Sequence, residues 1–295
     1  MAHNNSEMGG ASLSEADQVK LVSTSQFTLE ELTHAYNQTR VDYIVPMPMN
    51  VARLREYVRY YDIDIHASAV AMLGEKILGL IMLGVRREHT WITRLGVLPV
   101  KRRVGAGQRL MEHLIAQSRR LAVSHVQLEV IQNNVPAHRL FRKLGFRETR
   151  ELLVVRRPPS PPDSKHVPPY TLHMLDYHRA LELLQQRHST PSWLDETPSL
   201  INAGNLSALR VELANGDWGW LVYQATVFQL ARLVLQTQVG DPYQVGLALA
   251  HALHTRYPAT DTKSENLPID DPHWSALQTI GYLESFRRIE MRLDF

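Results

Sequence analysis

With 295 residues the chain has room for about two domains of ordinary size. Its 44% apolar and 21% charged residues with a net charge of +2 describe a globular protein and exclude a disordered chain or one coated in charge for a polyanion. Cysteine is absent, which excludes disulfides, thiolate metal sites and a thiolate nucleophile, and the 14 histidines form no HExxH or comparable zinc spacing, so no metal is expected. No apolar run approaches about 18 residues and the start has no signal-like pattern, so the expectation is a cytoplasmic protein with no membrane partner.

In chain order, residues 1–17 read as a flexible tail from their Asn, Ser and Gly content. A helix is expected from Thr28 to about Thr39, opened by a capping box between Thr28 and Glu31, and a second from Met49 to Tyr60 with Asn50 as its cap. Ser68 to Leu73 and Lys76 to Leu83 read as strands around a Gly74-Glu75 turn, and Trp91 to Leu98 as a further strand. Next comes a basic, glycine-spaced turn, Lys101-Arg102-Arg103-Val104-Gly105-Ala106-Gly107-Gln108, after which Leu110, Met111, Leu114, Ile115, Leu121 and Ala122 fall at helical spacing. A turn that joins strand to helix in this way presents unpaired N–H groups and a partial positive charge, which attract phosphate. The strand-like Val126 to Ile131 then runs into Asn134 to Phe146, a helical stretch closed by Gly145-Phe146, and Leu152 to Val155 ends the first domain.

Three phosphate-binding patterns compete for the turn. A mononucleotide P-loop needs Gly-Lys-Ser/Thr at the helix start, and this chain has Gly107-Gln108-Arg109. A dinucleotide fingerprint needs a third glycine where Leu110 stands. What remains is Arg102-x-x-Gly105-x-Gly107, which resembles the pyrophosphate loop of the GNAT superfamily of acyl-CoA-dependent N-acyltransferases. The stretch from Val126 to Phe146 is similar to that family's fifth strand, fourth helix and closing turn, in the right order and at the right distance.

The resemblance implies a site and a reaction. The backbone of Val104, Gly105, Ala106, Gly107 and Gln108 with Arg102 and Arg103 would grip the pyrophosphate of acetyl-CoA, the pantetheine arm would lie along Leu95, Gly96 and Val97, and Asn134, Ala137, Phe141 and Arg142 would form a second contact region. The Val97 amide would meet the developing oxyanion. Many family members carry a tyrosine where this chain has Phe141, so the usual proton donor to the leaving thiolate is missing. Candidates for the general base are Glu129, which alternation puts on the opposite strand face from Leu128 and Val130, and Tyr43, which with Asp42 sits between the first two helices; His138 is a weaker one.

From Pro158 to Pro169 six of twelve residues are proline, which reads as a linker. Beyond it Trp218 to Tyr223 and Phe228 to Gln236 read as strands, Tyr243 to Leu253 as a helix, and Pro272 to Tyr282 echoes Pro136 to Phe146. Aligning Leu110–Leu114 with Leu249–Leu253 sets Gly107 against Gly246, Gly105 against Gln244 and Arg102 against Asp241, which opposes anion binding there. The expected fold class is α/β, an α+β mixed sheet: a tail (1–17), an acyl-CoA-binding catalytic domain (18–157), a linker (158–169) and a degenerate copy (170–295). The expected activity is transfer of an acetyl or small acyl group from CoA to a small-molecule or peptide amine in a ternary complex. The alternative is a catalytically lapsed acyl-CoA-binding sensor or scaffold. Five basic residues between Arg94 and Arg109 make too small a footprint for nucleic acid, and a homodimer is one use of the second copy.

Overall fold

The computed structural model describes residues 18–102 and 105–295; the tail expected at 1–17 lies outside them. In chain order the elements are β1 (Lys20–Ser23), α1 (Leu29–Gln38), α2 (Val51–Tyr60), β2 (Ala69–Leu73), β3 (Lys76–Val85), β4 (His89–Val97), α3 (Ala106–Arg120), β5 (His125–Ile131), α4 (Val135–Lys143), β6 (Arg147–Arg157), β7 (Tyr170–Leu175), α5 (Tyr177–Gln185), α6 (Thr197–Ala203), β8 (Leu206–Leu213), β9 (Trp218–Ala225), β10 (Gln229–Val239), α7 (Pro242–Arg256), β11 (Asp261–Pro268), α8 (Trp274–Thr279) and β12 (Leu283–Asp294). The capping box forms as read: the Thr28 N–H donates to the Glu31 carboxylate at 2.8 Å and the Glu31 N–H to Thr28 Oγ1 at 3.1 Å. Asn50 caps α2 by accepting from the Arg53 N–H at 2.8 Å. Among the described residues no helix is long and apolar enough to cross a membrane.

The described chain divides into two compact units. One holds the described residues up to Leu54 with Asp64–Leu83 and Ile92–Ala122. In it β1 pairs antiparallel with β2 and β2 with β3, while α3 lies against β2 and buries Leu110, Met111 and Leu114 completely. The other unit holds Arg55–Ile63, Gly84–Trp91 and Val123–Phe295. Its strands run in the order β5-β12-β6-β11-β10-β9-β8-β7, and the first three residues of β4, His89–Trp91, pair parallel with His125–Gln127 of β5.

The chain repeats itself at a constant interval. The starts of α3 and α7, of β5 and β11, and of β6 and β12 all lie 136 residues apart, and both helices are 15 residues long. Within the second unit the copies exchange strands: β12 pairs with β5 on one side and β6 on the other, and β6 pairs in turn with β11. Residues 158–169 carry no helix or strand, yet the compact units do not part there, because β6 before that stretch is built into the ladder with β11 and β12 after it. Leu152, Leu153, Val154 and Val155 of β6 and Met291 of β12 are fully buried.

Truncating Met291 to alanine removes buried volume from a strand that both β5 and β6 use, so Met291→Ala lowers stability by about 2–5 kcal/mol. Hydrogen exchange is expected to quicken in β5 and β6 together; quickening in β12 and only one of them would contradict the exchanged ladder.

Candidate functional site

In the first unit, α3 starts at Gly105, whose φ of +82° is a left-handed conformation that suits glycine. No side chain caps this helix start, and a Cβ built on Gly105 meets nothing within 4 Å, so the main chain there is bare. Ala106 is 1% exposed and seats the first turn; Arg103 and Val104 lie outside the described residues. Arg102 donates from both terminal nitrogens to Asp42, at 2.6 and 2.7 Å, with longer bonds from Nε to the Val97 carbonyl at 3.3 Å and from Nη2 to the Thr39 carbonyl at 3.4 Å. Its hydrogen bonds hold the Asp42 carboxyl below the usual aspartate range. Both partners are half-exposed, so the pair is one that an incoming anion can compete with.

The main chain of β4 is similarly dressed. Arg40 donates to the Leu95 carbonyl at 3.2 Å, and its guanidinium lies over the rings of Tyr36 and Tyr43 at 4.6 and 4.7 Å. The Leu98 N–H bonds the Leu78 carbonyl of β3 at 2.7 Å, so the Val97 N–H, one residue back on a pleated strand, faces away from β3. Gly96 lets α1 close on the strand, since a Cβ there would stand 2.2 Å from Thr39 Oγ1.

In the second unit, Glu129 lies on β5 as read: Leu128 and Val130 are 1% and 3% exposed, and Glu129 between them is less buried. Trp91 Nε1 donates to its Oε2 at 2.7 Å and Asn266 Nδ2 to its Oε1 at 3.3 Å. Burial pushes its carboxyl up to about 7, against the pull of Arg288, Arg150 and the Trp91 hydrogen bond, with Glu290 adding to the rise. Trp91 is held in turn by Trp193, stacked on it at 5.7 Å, while Gly84 leaves room for Trp193 and Arg86 lies 3.9 Å over its ring. On α4, Asn134 caps the helix by accepting from the Ala137 N–H at 3.4 Å, Arg142 is exposed with Arg139 and Lys143, and His138 bonds Glu148 at 2.8 Å. Phe141 is 5% exposed and packs on Phe146, so its ring belongs to the core.

The start of α7 is built differently from that of α3. The 136-residue interval sets Gly105, Ala106 and Gly107 against Asp241, Pro242 and Tyr243, three residues from the alignment through Gly246. Gly246 instead packs a bare backbone on α8, where a Cβ would meet Ala276 at 3.0 Å. Asp241 caps α7 by accepting from the Tyr243 N–H at 3.1 Å, its own N–H donates to Asp217 at 3.1 Å, and Pro242 has no N–H to offer. Two carboxylates therefore occupy the place of an external anion. Sequence reasoning missed Trp91, Asn266 and Ser192 as partners around Glu129; the same interval sets Glu265 against Glu129 and was the available signal. Among the described residues no group of three or more His, Cys, Asp or Glu side chains is placed to hold a metal ion.

A family model described as the acetyltransferase (GNAT) family matches residues 30–146. No curated protein matches the sequence. Among solved structures, a GCN5-related N-acetyltransferase from Sphaerobacter thermophilus is 16% identical with a TM-score of 0.69, covering 94% of this chain and 96% of that one. A tandem GNAT protein from the clavulanic acid biosynthesis pathway is 13% identical with a TM-score of 0.63, covering 94% and 98%. At these identities the likeness is one of fold: a mixed α/β architecture of the GNAT kind.

The raised carboxyl of Glu129 has a consequence for stability. An ordinary glutamate titrates at 4.5 and this one at about 7 in the fold, so between those values the folded chain holds more proton and stability falls as pH rises, in full above about 7. The melting temperature of Glu129→Gln relative to the parent is expected to rise between about pH 4 and about pH 8; a constant difference would show that Glu129 titrates normally.

Proposed function

We propose, from the match of residues 30–146 to the acetyltransferase (GNAT) family, that the protein moves an acetyl or similarly small acyl group from CoA to a primary amine by direct transfer in a ternary complex. The helix start at Gly105 is the observation that carries this reading: it offers main-chain N–H groups and a positive helix end that no side chain among the described residues caps. Gly105, Ala106, Gly107 and Gln108 with Arg102 would hold the pyrophosphate, and the Leu95 and Val97 main chain the pantetheine arm. The second copy, with Asp241 and Asp217 at the start of α7, would hold no cofactor. Acetyl-CoA supplies the thioester carbonyl; a chain without cysteine cannot relay the acyl group through an acyl-cysteine, which favours direct attack.

In this reading Glu129 takes a proton from the acceptor ammonium and frees the lone pair that forms the C–N bond. A carboxyl at about 7 suits that task, being ionised often enough to accept the proton and basic enough to keep it. The Val97 N–H meets the charge that builds on the carbonyl oxygen. As the C–S bond breaks, its electrons stay on sulfur, the nitrogen gives up its second proton to solvent, and solvent supplies a proton to the thiolate because Phe141 carries no hydroxyl. The acceptor is a small-molecule or peptide amine, and Tyr43, held against Arg40, is a lining residue for it.

The lack of a phenol at Phe141 also favours a second reading, an acyl-CoA sensor without turnover. Thiol release from acetyl-CoA with a panel of primary amines separates the two: release with any amine is expected, and tight binding without release supports the sensor. Arg102→Glu is expected to weaken acetyl-CoA binding by about ten- to hundredfold in calorimetry; unchanged affinity would place the cofactor elsewhere. Glu129→Gln is expected to lower kcat by about 10²–10⁴-fold with acetyl-CoA affinity preserved, and near-parent turnover would remove Glu129 from the chemistry.

A further inference from the structure

Most of the side chains around Glu129 come from the second copy. Arg288 and Glu290 of β12 and Asn266 of β11 stand beside it together with Arg150 of β6, and Asn266 leads on to Ser192 in the turn before α6 and through it to Asp195. Arg150 is bonded to Glu290 and Arg288 to Glu265, so these charges are largely balanced in pairs. Asn266 is the member that touches the Glu129 carboxylate. It is 2% exposed and has a left-handed φ of +61°, at the point where β11 slips register against β6 between Ser264 and Leu267. A non-glycine residue in that conformation stores strain, and asparagine tolerates it best.

The Asn266 amide can point only one way. Its Oδ1 accepts from Arg288 Nη1 at 2.7 Å, and its Nδ2 donates to Glu129 Oε1 at 3.3 Å and to Ser192 Oγ at 3.2 Å. Turned over, it would set its NH2 against a guanidinium and its oxygen against a carboxylate, with both contacts repulsive. Glu129 thus receives one donor on each oxygen, Trp91 on Oε2 and Asn266 on Oε1. That fixes the plane of the carboxylate, and of its roughly four lone-pair sites about two stay open to a proton.

We propose that Asn266, although it belongs to the copy that has lost its cofactor cradle, is a positioning residue for acyl transfer, its amide oriented by Arg288 and holding the Glu129 carboxylate in place to take the acceptor's proton. The proposal rests on Glu129 being the general base. It gives the second copy a part in the chemistry that needs no ligand of its own.

The test follows the Glu129 carboxyl directly, by NMR titration of the full chain labelled on glutamate alone, so that Asp195 is silent and Glu129→Gln assigns the signal. Asn266→Gly suits the left-handed backbone and removes only the amide; Asn266→Asp keeps the shape and turns the donor into an acceptor, which guards against a glycine variant that fails to fold. Loss of one hydrogen bond to the ionised form is expected to move the Glu129 titration up by about one pH unit in Asn266→Gly and further in Asn266→Asp. The acid limb of kcat, measured with whichever amine of the panel turns over, is expected to move with it, kcat near pH 7 to fall about tenfold, and the KM for acetyl-CoA to stay within about twofold. A folded variant whose Glu129 titration does not move overturns the proposal. If the titration moves while kcat and its pH profile stay put, Asn266 tunes a carboxyl that is not the base, and the failure lies with the reading of Glu129 instead.

Discussion

A helix start must find an anion or a cap for its free N–H groups, and this chain meets that need in two opposite ways. At α7 it supplies the anion itself: the Asp241 carboxylate caps the first turn, Asp217 takes the Asp241 N–H, and Pro242 removes one donor. At α3 the corresponding position is Gly105, with no side chain at all. The two helices are of equal length and occupy equivalent places in a repeat, so the difference lies in a handful of residues and not in architecture. One copy thus caps its own helix start, while the other leaves it to the external diphosphate that the proposed function assigns there.

The copy that closed its cradle is still needed. β12, its last strand, is the neighbour that pairs with β5, and β6 of the first copy sits in the ladder between β12 and β11. Removing either strand would leave two others with unpaired edges, a more severe consequence than losing a terminal strand from a simple sheet. The exchange also sets Glu290 of β12 directly across from Glu129 of β5 and brings Asn266 to the Glu129 carboxylate. Stability and the electrostatics around Glu129 therefore rest on the same ladder.

What could be read in the sequence was local. The Thr28–Glu31 box and the Asn50 cap marked α1 and α2, the Gly74-Glu75 turn marked β2 and β3, and the glycine spacing marked the start of α3; each signal is made by residues within a few positions of one another. The alternation of Leu128, Glu129 and Val130 placed Glu129 on its face. The strands that escaped, among them β7, β11 and β12, take their burial from distant partners: β7 is mostly exposed, and β12 alternates charges that only β5 and β6 explain. The partner of Glu129 lies 137 residues away, beyond any local pattern. The alignment of the copies through Gly246 failed for a related reason. A glycine that lets two helices pack looks, in a sequence, like a glycine that bares a phosphate site, and only the helix starts tell them apart.

The central claim is that the chain has one diphosphate cradle and that it lies at the start of α3. Backbone hydrogen exchange of the full chain with and without coenzyme A tests this directly, because the main-chain N–H groups are themselves the proposed ligands. The account predicts new protection at Ala106, Gly107 and Gln108 and none at Tyr243, Gln244 and Val245. Protection at the start of α7, or binding of coenzyme A with no change at the start of α3, would contradict it.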